Sequence, residues 1–112
     1  MIATIFKDLS QTNTPFYRSI DFILNRIKTG TSKTLVEKIR AETDKKVRNE
    51  LKSQLTANCF SGKFTRRADS AISEHSGIIC LDFDNYDTTE ALNKDLKTIN
   101  KDKYTFSTFI SP

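Results

Sequence analysis

Four consecutive apolar residues after a glycine, Ile78-Ile79-Cys80-Leu81, run directly into Asp82-Phe83-Asp84. An unbroken apolar run of this length is the pattern of a strand covered on both faces. On such a strand side chains alternate with period two, so Asp82 and Asp84 project to one side and Phe83 to the other. Two carboxylates delivered together at the end of a buried strand repel each other unless a cation or a basic group compensates. Their spacing suits a shared hard cation, Mg²⁺ or Mn²⁺, which takes oxygen ligands and keeps substrate phosphates in its shell. The bland alternative is that both acids solvate a strand end and open a turn with Asn85.

The rest of the chain supplies elements to surround that strand. Ile2 to Phe6 reads as an edge or first strand. Asn13 or Thr14 can cap a helix with Pro15 in its first turn, where the missing N–H costs nothing. Phe16, Ile20, Ile23, Leu24 and Ile27 then share a helical face, and Gly30 supplies a stop. A second helix begins after Thr31 or Ser32 and runs to about residue 55, with a break near Thr43. Cys59-Phe60 and Lys63-Phe64-Thr65 read as extended chain around a Ser61-Gly62 turn. Asp87 can cap a further helix with Glu90 three residues on, and Leu92, Leu96 and Ile99 form its apolar stripe. Tyr104 to Ile110 reads as a last strand, after which the chain reads as cut. The predicted class is α+β, a mixed or mostly antiparallel sheet backed by helices in a single domain over residues 1–112.

Charge is unevenly spread. Between Lys33 and Arg67 there are ten Lys and Arg against four Asp and Glu, whereas the remaining residues carry eight basic and ten acidic groups. Such a block fits phosphate binding, although a solvated helix face gives the same pattern. Cys59 and Cys80 sit in apolar contexts and read as two buried free thiols. The only histidine, His75, reads as a structural hydrogen-bonding group at the start of the core strand. No apolar run approaches the roughly 20 residues of a membrane span. Met1 to Lys7 also lacks the pattern of a secretion signal, so a cytoplasmic location without membrane partners is expected.

Asp-x-Asp after an apolar strand also occurs in haloacid-dehalogenase-like phosphatases. Those have Thr or Val two residues after the second Asp, where this chain has Tyr86, and they need a Lys and further acids well downstream. Three ordered segments make a more specific pattern: Arg40 to Lys52, then Phe60-Ser-Gly-Lys-Phe-Thr-Arg-Arg67, then Glu74-His-Ser-Gly-Ile-Ile-Cys-Leu-Asp-Phe-Asp84. Together they resemble the VirE N-terminal domain of bacterial mobile-element and phage proteins, regarded as a relative of archaeo-eukaryotic primase-polymerases. Leu55-Thr56 departs from the Leu-Pro of that pattern, and the pair Arg66-Arg67 leaves open which arginine is the matching one.

The resemblance implies a primase-polymerase-like fold in which Asp82 and Asp84 bind catalytic metal. It also implies that Arg66 or Arg67, with a weaker role for Lys63, contacts nucleotide or template phosphate. Ser111-Pro112 would open a nucleotide-holding motif whose remainder, with a further metal-binding acid, lies outside the chain. The implied function is part of a nucleotidyltransferase domain that binds nucleotides and DNA or RNA, inactive as the isolated chain. A helicase or other domain would follow, and an exposed edge strand could support oligomerisation. The alternatives are a non-catalytic nucleic-acid-binding module and a protein-interaction module of the same fold.

Overall fold

In a computed structural model describing residues 1–112, the chain is α+β with two antiparallel sheets and four helices. It clusters into two units, Met1–Cys80 together with Pro112, and Leu81–Ser111. The first unit is organised by β1 (Ile2–Phe6), whose Ala3, Thr4 and Phe6 are buried. Rather than an edge, β1 is the middle of a three-stranded sheet, between β2 (Phe16–Ser19) and β3 (Ala57–Cys59). Register pairs Ala3 with Arg18 and Ile5 with Phe16 on one side, and Thr4 with Cys59 on the other.

Phe16 to Ser19 therefore form a strand where the sequence predicts the first turns of a helix. Phe16 fits either period, and pairing with β1 satisfies the backbone groups that a frayed first turn would leave to water. The helix, α1 (Ile20–Thr29), begins at Ser19 instead, whose Oγ accepts a hydrogen bond from the Phe22 N–H at 3.2 Å. Gly30 closes it in the left-handed conformation at φ 71°, which a residue without Cβ adopts freely. Ile20 and Ile23 bury against Ala3, with Ile5, Leu24, Phe60 and Ile78 packed around them.

The predicted second helix is two: α2 (Lys33–Ala41), which buries Ile39, and α3 (Lys45–Lys52), which buries none of its residues. The break falls at Glu42-Thr43-Asp44, where the Asp44 carboxylate accepts from the Val47 N–H at 3.0 Å and caps α3. A hairpin of β4 (Gly62–Phe64) and β5 (Ile72–His75) lies against the other face of β1. The Thr4 hydroxyl fixes it, donating to the Gly62 carbonyl at 2.8 Å and accepting from the Phe64 N–H at 2.9 Å. Gly62 has φ 154°, and a Cβ there would collide with the Glu74 carbonyl across the hairpin.

The second unit holds α4 (Thr89–Lys101), capped by the Thr88 hydroxyl, which accepts from the Ala91 N–H at 3.1 Å, and not by Asp87. After α4, Thr105 Oγ1 donates to the Ile99 carbonyl at 2.7 Å and Thr108 Oγ1 to Asn100 Oδ1 at 2.7 Å. Neither predicted apolar strand, Ile78–Leu81 nor Tyr104–Ile110, forms. A strand is defined by a neighbour's backbone groups, and neither segment has a ladder partner. No helix is long and apolar enough to cross a membrane.

Replacing Thr4 with Val should cost about 2–3 kcal/mol, because it strands a buried acceptor and a buried donor at once. The check is the urea midpoint, with Thr4→Ser retaining most of the lost stability. Gly62→Ala should destabilise as much or more, because the collision is with backbone and not with a flexible side chain.

Candidate phosphate-binding cavity

The hairpin and β3 enclose a cavity of about 260 Å³, lined by Asn58, Cys59, Phe60, Ser61, Phe64, Arg67, Ala68, Asp69 and Cys80. The seven-residue connection from β4 to β5, which includes a 3-10 turn at Asp69–Ala71, places Arg67 in its wall. The Arg67 N–H donates to the Thr12 carbonyl at 2.8 Å, and Thr65 N–H donates to the Ala71 carbonyl at 3.0 Å, closing the loop between them. The Ser76 N–H donates to the Ser61 carbonyl at 2.8 Å and its Oγ to the Phe60 carbonyl at 2.6 Å, so the chain after β5 stays beside the far wall.

Arg67 is half-buried, and no carboxylate lies within ion-pair distance of its guanidinium, although Asp69 shares the cavity. It acts instead on Cys59: burial pushes the Cys59 thiol up from its ordinary value, and the positive charge of Arg67 pulls it part of the way back. Two phenylalanines, an amide, a hydroxyl and a guanidinium without an ion pair line it together with the Asp69 carboxylate, so an anion carrying an apolar or planar group would fit at the Arg67 side, away from Asp69.

The other residues singled out from the sequence lie elsewhere. Arg66 is exposed and reaches Ser70 Oγ at 3.5 Å. Lys63, on β4, is held by Glu74 at 3.2 Å. His75 is exposed at the end of β5 and makes no side-chain hydrogen bond, contrary to the structural bond expected of it. Both cysteines are free, as expected, but Cys59 is only half-buried and Cys80 is exposed, because the strand that would have covered it does not form. On α2 and α3, Lys38, Lys45, Lys46, Arg48 and Lys52 have no ion-pair partner, whereas Lys33 pairs with Glu37 at 3.9 Å.

Asp82 and Asp84 lie in irregular, exposed chain of the second unit. Asp84 Oδ1 accepts from the Asn85 N–H at 2.8 Å, and Asn85 takes the left-handed conformation at φ 62°. No group of three His, Cys, Asp or Glu gathers in the chain, so Asp82 and Asp84 would hold Mg²⁺ or Mn²⁺ only with substrate phosphates or water completing its shell. Ser111 is exposed in the irregular segment after α4. Of all the expected site residues, only Arg67 lines the cavity. Phe60 and Phe64 belong to the Phe60–Arg67 segment quoted from the sequence but were given no binding role there, and Asn58 was not singled out; the turn between β3 and β4 brings the three together.

A family model described as BT4734-like, N-terminal domain matches residues 50–112. This match corrects the VirE N-terminal resemblance read from the sequence, and it lends no support to kinship with primase-polymerases. No curated protein and no solved structure matches the chain.

The thiol of Cys59 reports directly on Arg67. Thiolate is the reactive form, so in an Arg67→Ala variant the pH profile of Cys59 alkylation should move to higher pH. Iodoacetamide rates in a Cys80→Ser background measure it, and an unmoved or lowered profile would place the guanidinium away from the sulfur.

Proposed function

The chain belongs to the BT4734-like N-terminal domain family, and from that premise we propose that it is a non-catalytic nucleic-acid-binding module. The observation that carries this reading is the Arg67 guanidinium, half-buried in a cavity wall without a carboxylate partner. A guanidinium left uncompensated in a concave site is matched by a phosphate, which it can bind through two parallel hydrogen bonds. The unpaired lysines and Arg48 on α2 and α3 support the same reading, because a polyanion gains from each cation that is not already neutralised. A cytoplasmic location, where nucleic acid is met, is part of the proposal.

Binding of a labelled DNA oligonucleotide should weaken steeply with salt. Four phosphate contacts to a single strand imply a loss on the order of 50-fold between about 50 and 200 mM salt. Arg67→Ala should weaken binding by about 10- to 100-fold, the worth of one charge-assisted contact. Affinity that ignores salt, or no affinity for DNA or RNA at all, would overturn the reading in favour of a protein-interaction module.

Nucleotidyl transfer through Asp82 and Asp84 is a separate proposal, and no contact in the structure favours it. The two readings part cleanly on one variant. In the binding module, Asp82→Asn with Asp84→Asn leaves DNA affinity within about twofold, or raises it slightly by removing repulsion from phosphate. Lost binding in the presence of Mg²⁺, restored by excess Mn²⁺, would instead assign the acids to a metal that bridges protein and phosphate.

A further inference from the structure

A second cluster of unpaired cations lies on the opposite edge of the three-stranded sheet, and it is built around an aromatic ring. Phe22, in the first turn of α1, is 43% exposed. The Arg18 guanidinium carbon lies 5.8 Å from its ring centroid and that of Arg26 lies 5.9 Å away. Both geometries are within the range of cation–π attraction. Arg26 stands four residues from Phe22, the spacing that brings two side chains to one helix face. Arg18 arrives from the edge strand β2, where Phe16, two residues earlier, shares its face and is 47% exposed.

Nothing within the molecule neutralises these charges. Neither Arg18 nor Arg26 has a carboxylate within ion-pair distance, and Asp21, beside Phe22 in the chain, pairs with neither. Arg18 spends one N–H on the Tyr17 carbonyl at 2.7 Å and keeps the rest of its fork. Two like charges are thus held against one ring, next to a second exposed ring on the same edge. A partner that relieves both conditions must be anionic and must offer flat apolar surface.

We propose that Phe16, Arg18, Phe22 and Arg26 form a platform for single-stranded nucleic acid, the guanidiniums taking phosphates while bases stack on the rings and on the guanidinium planes. A duplex supplies the phosphates but keeps its base faces stacked on each other, so only a single strand satisfies both requirements. This inference rests on the nucleic-acid-binding reading, but it assigns the strand preference to residues distinct from Arg67 and from the cations of α2 and α3.

The test compares three probes by fluorescence anisotropy: an oligothymidine of about 15 nucleotides, a duplex of equal length, and an oligomer of abasic sites that carries the phosphates alone. The protein is the full chain, as wild type and as Phe22→Ala, Phe22→Tyr and Arg18→Ala variants. Each variant is checked by circular dichroism, and all should fold because the substituted side chains are exposed. The expected result is that wild type prefers oligothymidine to the abasic oligomer. Phe22→Ala removes at least about tenfold of the oligothymidine affinity while changing the duplex and abasic affinities less than twofold. Phe22→Tyr retains the preference, and Arg18→Ala weakens all three probes together.

An equal effect of Phe22→Ala on all probes, or none on any, overturns the platform. So does tighter capture by anionic phosphatidylserine vesicles than by oligothymidine. If wild type binds DNA in an Arg67-dependent manner while the Phe22 variants match it, the platform alone fails. If wild type binds none of the nucleic acids, the platform and the proposed function fail together.

Discussion

A buried hydroxyl is tolerated in a protein interior only when both its proton and a lone pair are used, and Thr4 uses both on a single neighbouring strand. Its two bonds, to the Gly62 carbonyl and the Phe64 N–H, join β1 to β4 at zero exposure of the threonine. Everything that shapes the cavity hangs from that junction. Gly62 must be glycine for β5 to approach β4, and Phe64 places one cavity wall. The loop that follows is tied back to the Thr12 carbonyl through the Arg67 N–H, which holds Arg67 in the cavity wall. The apolar packing of Ala3, Ile20 and Ile23 on the other face of β1 holds the sheet, but it does not determine where the hairpin sits.

Electrostatics sorts the cations into two kinds. Lys33 and Lys63 are spent within the molecule, on Glu37 and Glu74. Both pairs are solvent-exposed to a large degree and contribute little stability, so they say more about which charges are committed than about what holds the fold. Arg67, Arg18, Arg26 and the basic residues of α3 remain uncommitted, and α3 packs only shallowly, with Leu51 half-buried and no side chain fully buried. Arginine is the more telling type here. Its weaker hydration and planar fork suit partly buried, directional contacts, whereas a lysine is content in water.

Much of the scaffold was legible in the sequence because it depends on local signals. The capping aspartate at residue 44 breaks α2 from α3 where the periodicity stumbles, and Gly30 ends α1. The short strands around Ser61-Gly62 follow turn chemistry. What was not legible depends on partners. Phe16 to Ser19 satisfy helical spacing and strand alternation equally, and only the presence of β1 decides between them. Cys80 reads as buried only if the strand containing it is covered. Most of the cavity lining falls within residues 58–69, a stretch the sequence marks as a motif, but that its residues enclose a cavity was not legible, since this depends on how β4 docks on β1 at the Thr4 junction.

The same reasoning bears on Asp82-Phe83-Asp84, whose pairing was read from a strand pattern. The inference needs a strand, because only period-two alternation forces Asp82 and Asp84 to one side. Ile78 to Asp84 has no ladder partner, so that alternation is not imposed, and Ile79 and Leu81 stand 81% and 71% exposed. Exposure also removes the electrostatic demand. Two carboxylates in water are screened by high dielectric and mobile ions, and they repel by only about 1 kcal/mol at close range, too little to require a resident cation. Arg67 is in the reverse situation. It is half-buried in a cavity wall and makes no ion pair, although Asp69 shares the cavity, so an anion from outside the chain would meet a guanidinium that is not already committed.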